Sequence, residues 1–490
     1  MSERLRLAIR KASTSHHFTW VSTLVVTLVA AAFRFVNLSS PQSLVFDETY
    51  YVKDAYTLGM TGSERKWPAE PNPQFESGQL DIFLPEPSFV VHPPFGKWLI
   101  WFGMALFGPD SSFGWRFSTA LVGTLLIPLV ILAARLLIGS RVWAAAIGLA
   151  LAIEGQAIVL SRTAILDVLL AFFVLLGFVF LLLDDRSWRR KLRRSSTVST
   201  KLPIGLRPWL FATGIALGLA TAIKWSGLWV LAGFGLYSVI SEVLLRRRLG
   251  GSALKGLVPQ GLLSFLSLVP IALFSYVLSW LGWILGDDGY RRQRERGWAG
   301  PLWDYHVAAF NFHSGLDSDH GYRANAFEWL LTLRPTSFFF EQYEFGESGC
   351  GFEVGCTQAI TALPHLVIWL VAVFALPWLG YRIFKRDRIA SLVLLGFALN
   401  WAPWLLLLNR TTFQFYAVVF TPFLVLGLGY LMYRWQRYGY LTGRVAQRAR
   451  ALIRFGILNL VWALLFATLW LGLMVPKEFW RVQLFNPGWI

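Results

Sequence analysis

The stretch Phe95–Gly108, "FGKWLIWFGMALFG", decides how the whole chain is threaded through a membrane. It holds 14 residues, whereas a helix that spans the hydrocarbon core needs about 20 apolar residues. Its tryptophan and phenylalanine side chains favour the membrane–water interface. We therefore predict a juxtamembrane helix near 95–108 and not a membrane span.

The composition around this stretch indicates an integral membrane protein. Of the 490 residues, 55% are hydrophobic and only 15% are charged, which a soluble domain could not accommodate. The basic N-terminus precedes an apolar run without a small-residue cleavage site, so we interpret that run as a retained first span. We predict an all-α polytopic membrane protein with about 11 transmembrane helices. The predicted spans are 18–37, 114–137, 142–161, 164–183, 208–224, 225–244, 257–284, 361–382, 388–408, 412–433 and 453–474.

The distribution of basic residues supports this topology. If 95–108 does not cross the membrane and the N-terminus is cytoplasmic, five basic clusters fall in cytoplasmic loops; if it crosses, all five fall outside. The C-terminus and two large loops, 38–113 and 285–360, then lie outside. One basic cluster, Tyr290–Gly297, departs from the rule, which is weaker in long loops. Because the net charge of +17 is divided among short loop clusters, we expect no nucleic-acid partner.

Polar residues that a membrane protein would bury only for a purpose collect on the external side of this topology. Acids and cations at one membrane face predict a pocket for a phosphorylated lipid headgroup. A transporter would instead place its charges near the midplane, often within inverted repeats, and no repeat is evident. The external polar residues are Asp47, Glu48, His92, Lys97, Arg116, Glu154, Arg162, Asp167, Lys224 and Arg410.

The adjacent acids Asp47 and Glu48 in "SLVFDETYYV" are the candidate catalytic residues. One carboxylate beside an oxyanionic substrate can act as a general base, although a solvated acid pair in a loop would give the same dipeptide. Cations at the outer ends of spans, Arg116, Lys224 and Arg410, either hold a lipid phosphate or extend to the headgroups without a ligand.

Several further residues have open interpretations. "HPPFGK" predicts a stiff turn in which His92 braces the chain, while Lys97 either reaches a phosphate or snorkels. Arg162 and Asp167 could form an internal ion pair. His313 belongs to "FHSGLDSDHGY", which could bind a divalent cation but more readily grips an acceptor peptide.

Motifs for other chemistries are absent or ambiguous. No glycine-rich phosphate loop and no cysteine–histidine cluster with zinc spacing occurs, so neither a nucleotide-driven pump nor a zinc enzyme is predicted. The two cysteines of "CGFEVGC", Cys350 and Cys356, form either a disulfide or two free thiols.

An ordered set of motifs resembles the protein O-mannosyltransferases, membrane glycosyltransferases of the GT-C fold, in their bacterial, actinobacterial form. The motifs are "FDETYYVKDAY", "HPPFGKWLI", "GWRFSTALVGTLLIPLV", "SRTAILD", "AIKWSG" and the loop "YHVAAFNFHSGL…EWLLTLRPTSFFFE". The resemblance implies inverting transfer of mannose from polyprenyl-phosphate-mannose to Ser or Thr hydroxyls of exported proteins. The alternative is another lipid-linked sugar transferase of this architecture, acting on a lipid or a cell-wall glycan.

The resemblance also implies roles for individual residues. Asp47 would be the general base and Glu48 would orient the site. The lipid-linked phosphate would be held by Arg116, Lys224 and Arg410. Substrate positioning or support would fall to His92, Lys97, Arg162, Asp167 and His313.

The remaining expectations concern organisation and partners. We expect a catalytic transmembrane module over 1–284, an acceptor-binding external loop over 285–360 and a four-helix transmembrane region over 361–490. No metal or other cofactor is expected to be obligatory, because cations can stabilise a departing lipid phosphate. The expected setting is the plasma membrane, with the active site outside and the acceptor proteins presented by the secretion machinery.

Overall fold

The computed structural model describes residues 15–197 and 202–489. The chain is predominantly helical, as predicted. Its α-helices are α1 (His16–Phe35), α2 (Glu48–Thr61), α3 (Asn72–Glu76), α4 (Phe95–Phe107), α5 (Ser112–Ile138), α6 (Arg141–Ala152), α7 (Gly155–Ser161), α8 (Asp167–Ser196), α9 (Pro208–Thr221), α10 (Gly227–Arg248), α11 (Ala253–Leu257), α12 (Pro259–Leu278), α13 (Leu281–Leu285), α14 (Ala299–Gly315), α15 (Ala326–Leu331), α16 (Leu366–Phe384), α17 (Arg388–Trp401), α18 (Thr421–Leu441), α19 (Val445–Leu471) and α20 (Lys477–Gln483).

Each predicted span corresponds to a helix or to a pair of helices. In the described part of the chain, 8 helices are long and apolar enough to cross a membrane, or 9 if the bent pair α6–α7 is one span. The two predicted spans that fall short of this criterion are 208–224 and 412–433. In the first, α9 has only 14 residues. In the second, a short 3-10 helix, Gln414–Val419, precedes α18, and α18 itself has 21 residues but is polar in its second half, which carries Arg434 and Arg437.

The predicted continuous span 142–161 is broken. Its two halves, α6 and α7, meet at an angle of 63° around Ile153 and Glu154. The Glu154 carboxylate caps α7 by accepting a hydrogen bond from the Ala157 amide, and it also accepts one from the His365 amide. A polar residue that caps a new helix and bonds another segment explains why the apolar run does not continue as one rod.

The stretch that decides the topology forms α4, a helix of 13 residues. At a rise of about 1.5 Å per residue, such a helix is too short to cross a hydrocarbon core of roughly 30 Å. It packs closely against α5, because a Cβ added to Gly103 would lie 2.4 Å from the carbonyl oxygen of Gly114. This close packing connects the segment 38–113 firmly to the transmembrane helices.

The chain is not entirely helical, as the all-α prediction had it, because it also contains a small antiparallel sheet. Its strands are ordered β1 (Ser337–Tyr343), β2 (Cys356–Thr361) and β3 (Met474–Pro476), with Phe340 opposite Ala359 and Thr357 opposite Val475. The sheet ties the segment 285–360 to the chain that follows α19. Cys350 and Cys356 are joined as a disulfide next to this sheet, so one of the two interpretations left open by the sequence holds. The three-part division of the chain stays a prediction.

Candidate active site

The acids Asp47 and Glu48 begin α2, immediately after a sharp turn at Phe46. Phe46 has φ 48, a left-handed conformation that is unusual for a bulky side chain. Its ring is held by Phe338, Phe413 and Phe415, whose centroids lie 5.1 to 5.7 Å away. The turn directs the two neighbouring carboxylates into different surroundings, which gives them different chemistry.

Glu48 is a completely satisfied internal carboxylate. Its oxygens accept hydrogen bonds from Nε and Nη2 of Arg116, both at 2.8 Å. They also accept hydrogen bonds from the backbone amides of Val45, at 3.0 Å, and Ala164, at 2.7 Å. The side chain is 0% exposed. Glu48 therefore fixes the turn and the start of α2 and has no free lone pair directed at a substrate.

Arg116 serves the same internal network. Besides Glu48, its guanidinium donates to the carbonyl oxygens of Leu38, Pro41 and Ser43, at 3.3, 2.7 and 3.0 Å. All five N–H donors of the guanidinium are thereby used. The structure does not bring Arg116 into the phosphate site that the sequence predicted. It is instead the clamp that holds the segment before Asp47.

Asp47 has a different environment. The carboxylate accepts no hydrogen bond from any residue within 15–197 or 202–489, and it does not cap α2. Burial raises the pKa of Asp47 from 3.8 to about 6; the nearby charge of Lys224 opposes this increase and that of Asp167 adds to it. A half-buried carboxylate with an elevated pKa and free lone pairs has the properties of a general base.

Asp167 and Lys224 form an ion pair beside Asp47. The Lys224 ammonium donates to both Asp167 oxygens, at 2.9 and 2.8 Å. It also lies 4.8 Å from the centroid of the Tyr416 ring. Arg162 does not take part in this pair, although the sequence allowed an Arg162–Asp167 bridge. The partner of Asp167 comes from the turn between α9 and α10, 57 residues away.

Arg162 instead supports the end of α1. Its Nη1 donates to the carbonyl oxygens of Phe33, Arg34 and Val36, at 3.2, 3.1 and 2.7 Å. Those carbonyls lie in the last turn of α1 and just beyond it, where no intrahelical donor is available. Arg162 therefore supports the end of α1.

His313 and Arg410 form the second cationic element of the site. His313 Nε2 lies 2.8 Å from the carbonyl oxygen of Val91, and only a protonated Nε2 can bond that acceptor. Its Nδ1 then accepts from Arg410 Nη2 at 3.2 Å. Burial, opposed by the bond to Val91, lowers the pKa of His313 to about 4. The remaining terminal nitrogen of Arg410, Nη1, is buried and has no hydrogen-bond partner among the described residues.

His92 and Lys97 lie on opposite sides of the His-Pro-Pro turn. The His92 ring faces the His313 ring, with 5.1 Å between the centroids, and burial together with nearby cations lowers the pKa of His92 well below its usual range. Lys97 is 1% exposed, pairs with Glu64 and donates to the His92 carbonyl oxygen at 3.3 Å. Lys97 therefore braces the turn from within and does not reach a headgroup.

An elongated cavity of about 1010 Å³ begins at these groups. One end is polar and contains His92, Asp167, Lys224, His313 and Arg410. The rest is apolar and runs along α10 and α12. Several of its apolar side chains are about half exposed, so this part of the cavity opens sideways from the helices. The side chains in question are Leu228, Trp229, Leu236 and Phe265.

Three functional neighbours escaped the sequence analysis. Tyr416 and Trp225 line the cavity beside Lys224. Glu64, which lies in the segment 38–113, neutralises Lys97. Tyr416 and Trp225 stand in "NRTTFQFY" and "AIKWSG", so their motifs carried a signal, whereas nothing local distinguished Glu64.

Among residues 15–197 and 202–489, no three or more His, Cys, Asp or Glu side chains cluster in a way that could hold a metal ion. His313 contacts a backbone carbonyl and Arg410 instead of Asp317 or Asp319. The independence of the reaction from metals stays a prediction.

Comparison with solved structures identifies the class of this fold. The Saccharomyces cerevisiae protein O-mannosyltransferase Pmt1-Pmt2 complex, solved with its sugar donor, aligns with a TM-score of 0.73 at 13% identity, over 96% of this chain and 92% of that chain. ArnT from Cupriavidus metallidurans, solved with undecaprenyl phosphate, aligns with a TM-score of 0.55 at 18% identity, over 92% of this chain and 77% of that one. The fold is that of the GT-C membrane glycosyltransferases.

Sequence comparison then identifies the family. A family model described as dolichyl-phosphate-mannose-protein mannosyltransferase matches residues 85–282. The polyprenol-phosphate-mannose--protein mannosyltransferase of Mycobacterium tuberculosis is 30% identical, over 96% of this chain and 92% of the relative. The chain belongs to this protein mannosyltransferase family, as the motifs of its sequence predicted.

Proposed function

We propose that this protein transfers mannose from polyprenyl-phosphate-mannose to Ser or Thr hydroxyls of exported proteins, with inversion at the anomeric carbon. The proposal rests on two groups without a hydrogen-bond partner among the described residues: the carboxylate of Asp47 and the Nη1 nitrogen of Arg410. Asp47 lies in the field of the Asp167–Lys224 pair, which lines the polar end of the cavity, and Arg410 lines the same end with its Nη1 buried and without a bond from the described residues.

The cavity suits an activated lipid. Arg410 and Lys224 would contact the phosphate, where charge-assisted hydrogen bonds are strongest. The apolar wall along α10 and α12 would receive the start of the polyprenyl chain and pass it to the hydrocarbon through the lateral opening. Arg116 is not assigned to the phosphate, because its N–H groups are used within the protein.

The catalytic step is a single displacement. Asp47 takes the proton of the acceptor hydroxyl while the oxygen of that hydroxyl bonds to the anomeric carbon. At the same time the bond from the anomeric carbon to the phosphate oxygen breaks. Arg410 and Lys224 stabilise the negative charge that develops on the departing lipid phosphate. One displacement without an enzyme-bound intermediate inverts the configuration of the sugar carbon. No metal is required in this scheme.

The acceptor is expected to approach along the aromatic surface next to Asp47. Residues of the second external segment, His320 and Phe338, contact the Phe46 ring at 5.9 and 5.1 Å. This contact supports a role for 285–360 in acceptor binding, because it brings that segment to the residue preceding the base. We also propose that the site faces outward from the plasma membrane, with the N-terminus cytoplasmic, and that the secretion machinery presents the acceptors.

Incubation of the purified protein with polyprenyl-phosphate-mannose and Ser/Thr peptides tests the activity directly. We expect a mannosylated peptide in the mass spectrum, and its NMR spectrum should show the anomeric configuration opposite to that of the donor. A matched peptide with Ala at every Ser and Thr position is the control. Transfer only to lipids or glycans, and never to the peptide, would favour the alternative transferase and contradict the proposal.

Arg410→Gln is expected to weaken donor binding. Loss of a hydrogen bond to a charged group costs about 1.5–3 kcal/mol, which corresponds to roughly 10- to 150-fold in affinity. Binding of polyprenyl phosphate to the purified protein measures the effect. Arg294→Gln removes the same charge from an exposed position of the external segment and serves as the control. Equal affinities in the two variants would remove Arg410 from the phosphate site.

Transfer is expected to require the deprotonated form of Asp47. Because burial raises the pKa of Asp47 to about 6, kcat/KM should be constant above that pH and fall about tenfold per pH unit below it. Asp54 also has an elevated pKa, of about 7, through burial. The pH profile of kcat/KM for the Asp54→Asn variant separates the two acids. If its midpoint is unchanged, Asp47 is the titrating group; if the decrease at acidic pH disappears, Asp47 is not the titrating group.

A further inference from the structure

The cytoplasmic end predicted for α8 carries a dense row of arginines that the proposed reaction does not use. Arg186, Arg189, Arg190, Arg193 and Arg194 follow one another at the spacing of neighbouring turns of a helix, so they occupy one face. Leu182 lies on the same face one turn earlier. The row begins directly where the apolar part of α8 ends.

These arginines line a cavity of about 450 Å³ between α5, α8 and α17, which belong to the candidate spans Ser112–Ile138, Asp167–Ser196 and Arg388–Leu406. The end of α5 contributes Leu136 and Leu137, and the start of α17 contributes Arg388, Ile389 and Leu392. Together with Leu182, they form an apolar floor beneath a basic rim. The cavity is therefore amphipathic and lies at the end of its helices that is remote from Asp47.

Most of the positive charge at this cavity is not neutralised. Asp185, which is 4% exposed, pairs with Arg189 at 2.8 Å and with Arg388. Its carboxylate also accepts from Tyr237 and Ser241, at 3.2 and 3.3 Å, so it is saturated. Four guanidinium groups have no hydrogen bond or ion pair within the described part of the chain. They belong to Arg186, Arg190, Arg193 and Arg194.

The arginines and the apolar side chains of this cavity together indicate which kind of ligand it can bind. Four exposed guanidinium groups on one face attract an anion, and their planar N–H donors suit phosphate oxygens. A small soluble phosphate would leave the leucine and isoleucine floor in contact with water. A phospholipid would cover that floor with its glycerol and first methylene groups, and its acyl chains would continue between the helices.

We propose that this basic cavity binds the phosphate headgroup of an anionic phospholipid in the leaflet opposite to the active site. The lipid would fill the gap between α5, α8 and α17. The site is separate from the donor cavity, and the proposal does not depend on the transfer reaction.

Native mass spectrometry of the purified full chain with phosphatidylglycerol or phosphatidylcholine tests the proposal. We expect selective retention of phosphatidylglycerol, and about 30-fold weaker retention in the variant Arg190→Gln/Arg193→Gln, since each basic residue near a lipid surface contributes about 1 kcal/mol. Arg247→Gln/Arg248→Gln removes two exposed charges from the end of α10 and is the matched control. Equal retention in both double variants would overturn the proposal.

Inorganic phosphate and glycerol phosphate form the second arm of the experiment. Millimolar concentrations of either anion should leave the bound phosphatidylglycerol in place, and displacement of the lipid would mean that the cavity takes a soluble phosphate instead. Should the double variant fail to fold, the single variants Arg190→Gln and Arg193→Gln carry the same test. Each single variant is expected to retain phosphatidylglycerol about fivefold more weakly than the wild type. Retention at the wild-type level in both variants would overturn the proposed lipid site.

Discussion

Asp47→Asn is expected to lower the rate of peptide mannosylation by about 100- to 10,000-fold, the usual contribution of a general base. Asparagine keeps the shape of the side chain but cannot accept the hydroxyl proton. Donor binding should remain near the wild-type value, because Arg410 and Lys224 are untouched. Single-turnover transfer and a separate donor-binding measurement distinguish the two steps.

Thermal unfolding of the same variant distinguishes a catalytic from a structural role. A folded-state pKa of about 6 against 3.8 means that the folded protein binds the Asp47 proton more tightly than the unfolded chain. Stability is therefore gained as the pH falls from about 6 towards 3.8, and at neutral pH the ionised carboxylate is destabilising. Asp47→Asn should then unfold at a higher temperature than the wild type at neutral pH, although it is inactive.

The matched control is Asp54→Asn. Asp54 lies on α2, is half-buried and has a pKa of about 7. It is influenced by the charges of Lys97, Glu64 and Lys53, whereas Asp47 is influenced by Lys224 and Asp167, which line the polar end of the donor cavity. We expect this variant to keep transfer within a few fold of the wild type. Comparable losses in both variants, or full activity of Asp47→Asn, would refute the assignment of Asp47 as the base.

Arg116→Ala is expected to reduce the free energy of unfolding by about 3–5 kcal/mol, because removing one member of a buried ion pair leaves the other charge uncompensated. The carboxylate left behind is that of Glu48, which is 0% exposed. Unfolding of the purified protein in detergent measures the loss. Arg116→Lys should recover only part of it, since an ammonium cannot reproduce the bidentate contact.

Two further variants complete this test. Arg135 lies in the last turn of α5, which also contains Arg116. The variant Arg135→Ala should change the free energy of unfolding by less than about 0.5 kcal/mol. The double variant Arg116→Met/Glu48→Leu should be more stable than Arg116→Ala, because it removes both charges together. A folded and stable Arg116→Ala protein with specifically weakened donor binding would instead return Arg116 to the phosphate site.

Arg116 and Arg410 illustrate why side-chain roles resist prediction from a linear motif. Each is a cation at the predicted outer edge of an apolar run, and the sequence assigned both to the phosphate. Arg116 meets Glu48, which is 68 residues away, and uses all its donors there. Arg410 meets His313, 97 residues away, and retains a free nitrogen. The difference between Arg116 and Arg410 depends on which remote segment each arginine contacts in the folded protein.

The secondary structure was more accessible to prediction. A short apolar run such as 95–108 cannot cross the hydrocarbon core whatever its tertiary neighbours are. By contrast, the break between α6 and α7 depends on Glu154 capping a new helix and meeting the His365 amide, 211 residues away. A hydropathy pattern contains no information about that partner.

The sequence by itself determined that this chain is a polytopic membrane protein of the protein mannosyltransferase family, because hydrophobic length and motif order are properties of neighbouring residues. The tertiary structure decided which acid is free and which cation has an open nitrogen. Asp47 and Glu48 are adjacent in the chain, yet one is saturated by Arg116 and the other is not. That difference arises where distant helices meet, and there geometry and desolvation determine whether a charge supports the fold or remains available for chemistry.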